Sequence, residues 1–296
     1  MVDGAPDGSI EISIDRIDED SFNGEKGFMV KIIAIANQKG GVAKTTTAVN
    51  LAASLAVLKK RVLLVDLDAQ GNATMGSGVH KNELNYSIAD VMLGDAPIEA
   101  AINKVESNYK VLGSNRELAG AELVIAEQEQ REFILRDALK QIESNFDFIL
   151  IDCAPSLNLI TVNAFCAADS VLIPMQCEYY ALEGLADLCQ TIERINQTLN
   201  PNLEILGVLR TMYDGRSALT KDVSEELAQY FGDKLFQTVI PRNVRLAEAP
   251  AHGVPVMYFE KSSKGAVSYL TFAAELVKKM KKAEQKQAEQ KQGAKS

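Results

Sequence analysis

The sequence predicts a doubly wound α/β fold, a mostly parallel sheet with helices on both faces. Three observations carry that expectation. Five segments are apolar at nearly every position, the look of strands buried on both faces: KIIAIAN (31–37), RVLLVDLD (61–68), DFILIDCAP (147–155), SVLIPMQ (170–176) and LEILGVLRTMY (203–213). Helical patterns separate them, and strands alternating with helices imply parallel pairing. Glycine-rich or acidic loops follow three of these strands, at the edge where such sheets bind ligands.

Along the chain, residues 1–28 hold eight acids and two bases among Gly, Asp and Ser, and read as an acidic flexible extension. Met29 opens the first strand and is a candidate natural start. The body, 29–277, has no internal repeat and no long linker, so it reads as one domain. Within it, Leu182, Leu185, Leu188, Ile192, Ile195 and Leu199 recur at three- and four-residue spacing, an amphipathic helix over 179–199, with Cys189 on or near its apolar stripe. A last helix is expected from Gly265 to about Lys282. Residues 278–296 form a Lys/Gln-rich tail with seven lysines and two glutamates, solvated rather than part of the core.

Composition removes several function classes. Apolar residues make up 47% and aromatics 6% of the 296 residues, with no Trp, which suits an aliphatic core. No run of 18 apolar residues exists, and the first residues lack a basic segment followed by an apolar one, so neither a membrane span nor a secretory signal is expected. Cys153, Cys166, Cys177 and Cys189 show no C-x-x-C, and His80 and His252 are isolated, so a disulfide framework or a Cys/His metal site is not expected. The expectation is a cytoplasmic protein. The net charge of −9 leaves an acidic body, which argues against wrapping nucleic acid over a broad surface.

The chemistry concentrates in NQKGGVAKTTTAVNLA (37–52). The common phosphate-loop pattern, G-x-x-x-x-G-K-[ST], requires glycine directly before the lysine and again five positions earlier. This chain has Ala43 and Gln38 there, and an additional lysine, Lys39, before Gly40 and Gly41. The loop still leads into a helix whose first backbone amides, from Gly41 through Val42, Ala43, Lys44, Thr45 and Thr46, would face an anion. Lys44 would reach the β- and γ-phosphates and Thr45 would place its hydroxyl on Mg²⁺. Asp66 and Asp68 follow the second strand and Asp152 the third, where carboxylates orient a magnesium-bound or an attacking water. Each alone reads as a turn cap; together, beside a lysine-bearing loop, they read as a site.

On these residues the chain resembles the ParA/Soj family of chromosome- and plasmid-partitioning ATPases, P-loop NTPase-like proteins of the class that includes MinD. The resemblance runs from Met29 to Val277 and rests on the variant loop K-G-G-x-x-K-[ST] at Lys39, Gly40, Gly41, Lys44 and Thr45. VDLDAQGNAT (65–74), MQCEYYALEGL (175–185), TMYDGR (211–216) and IPRNVRLAEAP (240–250) extend it. Most relatives have glycine where this chain has Ala43. The resemblance implies ATP and Mg²⁺ as cofactors and an ATP-dependent homodimer in which Lys39 touches the partner's nucleotide. It implies that Asp68 positions the hydrolytic water, Asp66 supports the magnesium shell and Asp152 holds a magnesium-bound water. Pro241, Arg242 and Asn243 would line the adenine with Met212 nearby, and Arg216 and Arg245 would bind double-stranded DNA without sequence preference. A ParB-like centromere-binding protein would stimulate slow hydrolysis, and the protein would be nucleoid-associated. A MinD-like membrane-positioning ATPase would need bulky apolar residues in the C-terminal tail. An iron–sulfur ATPase reductase of the same fold would need a cysteine spacing that this chain lacks. A silent scaffold would not need Lys39, Lys44, Asp68 and Asp152.

Overall fold

The computed structural model describes residues 30–179 and 181–293, so the acidic extension expected at 1–28 lies outside the described residues. Eight strands form one sheet: β1 (Lys31–Ile35), β2 (Val62–Leu67), β3 (Ile102–Lys104), β4 (Lys110–Leu112), β5 (Phe148–Cys153), β6 (Ser170–Gln176), β7 (Glu204–Tyr213) and β8 (Leu235–Pro241). Their order is β3-β4-β2-β5-β1-β6-β7-β8, and every pairing is parallel except β3 with β4. The chain winds from β1 toward β2–β4 on one side and β6–β8 on the other, which opens a crevice at the C-terminal ends of the central strands.

Residues alternate between the two faces. Ile33 and Ile35 enter the layer under the helices Lys44–Val57 and Lys264–Gly293, while Ile32 and Ala34 enter the opposite layer, closed by helices that include Leu159–Ala167 and Ala181–Thr198. All five strands expected from sequence are present. β3 and β4 were not anticipated; each is three residues long and lacks the run of apolar residues that marks a central strand. β8 is an edge strand, half-buried in its middle, and so shows no continuous apolar signal.

The C-terminal helix continues past Lys282 to Gly293. Its buried side chains run from Ala266 to Met280. Phe272 packs edge-on against Phe236 of β8 at 4.9 Å between ring centroids, and Tyr269 Oη shares a hydrogen bond with Thr47 Oγ1 at 3.1 Å in the phosphate-loop helix. Beyond Met280 the helix reaches the sheet through the ion pair of Glu284 with Lys31 at 3.0 Å. Packing therefore extends into the expected tail as far as Met280. Among the described residues, no helix is long and apolar enough to cross a membrane.

This division of the helix predicts two different truncations. Removing residues 283–296 deletes a surface ion pair and should change the unfolding free energy by less than about 1 kcal/mol. Removing residues 266–296 uncovers Phe236 and the sheet face above it and should abolish cooperative folding. Urea titration of both chains, followed by circular dichroism, distinguishes them.

Candidate functional site

β1 delivers the chain to the sheet edge, where Asn37 fixes its departure. The Asn37 side chain donates to the Pro174 carbonyl on β6 at 2.9 Å and accepts from the Lys39 amide at 2.9 Å. The loop then turns through two left-handed residues, Gly41 at φ +75° and Ala43 at φ +68°. Glycine adopts such angles freely, whereas a side chain there costs about 1–2 kcal/mol. Ala43 is also the residue that caps the helix Lys44–Val57, and no side chain accepts from its first amides. An uncapped helix start with its dipole directed outward is an anion site.

Lys44 is buried beside this start and spends one of its three donors on the Lys39 carbonyl at 3.1 Å. Burial lowers its pKa, opposed by the nearby charges of Asp152 and Asp68 and by Cys153. The ammonium is therefore held by the Lys39 carbonyl and lies near the acids Asp152 and Asp68.

Asp66 and Asp152 are not in loops, as the sequence suggested, but inside β2 and β5, at paired register positions. Asp152 also pairs in register with Ile35 at the end of β1, so the sheet itself sets both carboxylates beside the phosphate loop. Asp66 is fully buried and engaged: Oδ2 accepts from the Thr74 amide at 2.8 Å and the Thr74 hydroxyl at 2.7 Å, and Oδ1 accepts from the Asp68 amide at 3.2 Å. Burial nevertheless pushes its pKa up to about 6, against those hydrogen bonds. Asp152 is pushed well above the usual carboxylate range by burial and then by Asp66, with Thr45 and Lys44 favouring its charged form. The Thr45 hydroxyl approaches it without closing a hydrogen bond, and neither Asp152 oxygen has a hydrogen-bond partner. Two orphaned buried acceptors beside Thr45 suit a hydrated cation, whose waters would supply the missing donors. Among the described residues no three His, Cys, Asp or Glu side chains form a metal cage, which fits a cation that keeps most of its waters and is held by few protein groups.

Asp68 stands at the mouth of the site, half-buried, in a tight turn. Its Oδ1 accepts from the Gln70 amide at 2.9 Å and its carbonyl from the Gly71 amide at 2.9 Å. Thr74 holds this turn down: its hydroxyl donates to Asp66 and accepts from the Ser114 amide at 2.9 Å. Sequence reasoning passed over Thr74 although it lies within the segment 65–74 on which the resemblance rests.

The remaining expected residues gather at the same edge. β7 and β8 pair Tyr213 with Pro241, which brings Met212 to one corner with Pro241, Arg242 and Asn243. Met212 takes φ +48° and is half-buried, and Asn243 caps the helix Val244–Glu248 by accepting from the Arg245 amide. Lys39 donates to Glu178 at 2.6 Å. Arg216 is bound to Asp214 through two contacts at 2.9 and 3.0 Å, holding the Asp214 carboxyl down to about 2. Arg245 donates to Glu248 at 2.7 Å.

Comparison with known proteins decides the family. The family described as an AAA domain matches residues 30–205. The sporulation initiation inhibitor protein Soj of Bacillus subtilis is 51% identical over 249 residues, 84% of this chain and 98% of that protein. The chromosome partitioning protein ParA of Myxococcus xanthus is 49% identical over 259 residues, 86% of this chain and 92% of that protein. This chain belongs to the ParA/Soj family. A solved structure of cobyrinic acid a,c-diamide synthase from Mycobacterium smegmatis, with bound ADP and magnesium, aligns at a TM-score of 0.75 and 38% identity, covering 86% of this chain and 96% of that one. The ParA/Soj fold is thus the doubly wound, P-loop NTPase-like sheet expected from the sequence.

In this ParA/Soj chain, Thr74→Val should destabilise the protein by about 1–3 kcal/mol, because it leaves the buried Asp66 carboxylate and the Ser114 amide each short of a partner. Thermal denaturation checks the size. A shift below about 0.5 kcal/mol would mean that the Asp68 turn is held by other groups.

Proposed function

We propose that this ParA/Soj-family ATPase binds ATP between two subunits and uses hydrolysis to time its release from DNA. The observation that carries the reading is the convergence, at one sheet edge, of an uncapped helix start with Lys44 and of the unpartnered Asp152 carboxylate with Asp68. The amides from Gly41 through Thr46 would cradle the phosphates, Lys44 would neutralise their charge, and Pro241, Arg242, Asn243 and Met212 would receive the adenine. Thr45 and Asp152 would hold Mg²⁺, with Asp66 supporting that shell from behind, and the ion would offset charge on the phosphate oxygens.

Asp68 would accept a proton from, and so orient, an attacking water, a role confined to the hydrolytic step. Lys39 would leave Glu178 and reach the nucleotide of the partner subunit. Arg216, in the turn after β7, and Arg245, on the short helix after β8, would meet DNA phosphates as a small, salt-sensitive patch completed by dimerisation. A ParB-like centromere-binding partner would accelerate a slow turnover, and nucleoid association would follow from the DNA contacts.

Asp68→Ala should bind ATP, stay dimeric and fail to hydrolyse, since the groups holding the phosphates remain and only the water acceptor is removed. Lys44→Ala should fail to bind ATP and remain monomeric. Size-exclusion chromatography with ATP, beside a phosphate-release assay, separates these outcomes; a monomeric or fully active Asp68→Ala chain would move the water-positioning role elsewhere.

For DNA, Arg216→Ala and Arg245→Ala should each weaken binding to random-sequence duplex. Each should also flatten the log–log salt dependence by about 0.9 for every phosphate that the binding unit no longer neutralises. ATP-dependent dimerisation should be unchanged. Normal DNA binding by both variants would shift the DNA-binding role to the lysines of 278–296.

A further inference from the structure

The end of β7 is irregular. From Arg210 to Tyr213 it uses three residue steps where β8 uses two, from Val239 to Pro241, the signature of an extra residue that bends a strand and re-aims a side chain. Met212 occupies that step at φ +48°. Beside it, the fully buried Thr211 donates from Oγ1 to the Val42 carbonyl at 3.0 Å, a bond between residues 169 apart in sequence. Thr211 opens the segment TMYDGR (211–216), but the resemblance assigns its hydroxyl no role.

The accepting carbonyl belongs to the peptide that joins Val42 to Ala43. In a trans peptide the C=O and N–H point to opposite sides, so holding the oxygen toward β7 directs the Ala43 amide away from it. Rotating this peptide by half a turn would reverse both groups and present an oxygen, in place of an N–H, to an anion. The same rotation would carry Ala43 from φ +68° to negative φ, the region that an alanine favours. The Ala43 methyl therefore pulls the loop toward an orientation that repels phosphate, and the Thr211 hydroxyl opposes that pull.

We infer that Thr211 is a positioning residue for nucleotide phosphate, whose hydroxyl locks the Val42–Ala43 peptide so that the Ala43 amide faces the anion. The inference rests on the reading that the loop of residues 39–46 binds nucleotide. It carries a specific consequence: a glycine at 43 feels no pull toward negative φ, so the lock matters less there. Thr211 and Ala43 should be energetically coupled through a bond that neither makes with the ligand.

The test is a double-mutant cycle read by calorimetric titration with ADP and Mg²⁺. Thr211→Val should weaken ADP binding about tenfold, and Thr211→Ser, which restores the hydroxyl, should bind within about twofold of the original chain. Placed on Ala43→Gly, the same Thr211→Val change should cost about twofold or less. Should the valine variant not fold, Thr211→Cys, whose S–H is a weak donor, provides the same comparison in both backgrounds. Equal weakening in the two backgrounds, an unaffected Thr211→Val chain, or a serine variant as weak as the valine one would each overturn the inference. Failure of the unaltered chain to bind ADP is a separate result, which would overturn the nucleotide reading on which the inference rests.

Discussion

Two carboxylates buried side by side in the middle of a sheet are the constraint around which the rest of the site is arranged. Asp66 and Asp152 occupy paired register positions on β2 and β5 and are both out of solvent. Each carries a pKa raised mainly by burial. A carboxyl with a folded-state pKa above its unfolded value weakens the fold when ionised at neutral pH, and the penalty fades as pH falls through the folded pKa, about 6 for Asp66. The chain answers the two acids differently. Asp66 receives three hydrogen bonds and organises the loop that bears Asp68; Asp152 receives none and faces Lys44 and Thr45. One acid builds the site, and the other is left for a ligand to satisfy.

The phosphate loop shows the same local tension. Its backbone needs left-handed geometry at position 43, and the sequence supplies an alanine. Local strain persists where the surrounding structure over-determines it. Here the restraints are the Asn37 bracket to β6 and the Thr211 hydroxyl from β7, both reaching across the crevice from strands on one side of β1. The loop is thus held by the sheet as much as by its own sequence.

Much of this was legible beforehand. Buried parallel strands carry an unbroken apolar signal, so the five central ones were visible, and their order of appearance put Lys44, Asp66, Asp68 and Asp152 near one edge. What sequence could not show depended on partners distant in the chain. β3 and β4 are too short to carry a periodic signal, and β8 is an edge strand whose faces differ. Thr74 and Thr211 are ordinary threonines until folding sets one between Asp66 and Ser114 and the other under Val42. The placement of Asp66 and Asp152 inside strands was also hidden, because an aspartate at the end of an apolar run reads as the start of a loop.

Three basic residues have proposed targets on other molecules, and all three share one arrangement. Lys39, Arg216 and Arg245 are each clasped by an acid of their own chain: Glu178, Asp214 and Glu248. All three pairs are solvent-exposed, and exposed pairs contribute between nothing and about 1 kcal/mol. Such pairs hold a side chain in place and offset its charge without making the exchange expensive. A phosphate offers more charge and more acceptor oxygens than the carboxylate it displaces, so each residue can trade an internal partner for an external one at little net expense. The same arrangement would reconcile the acidic body with the proposed binding to a polyanion: Arg216 and Arg245 are paired within their own chain and would be freed only where a dense row of phosphates outcompetes their neighbours. Affinity then depends on how many such exchanges occur at once, which is what doubling the patch by dimerisation would change.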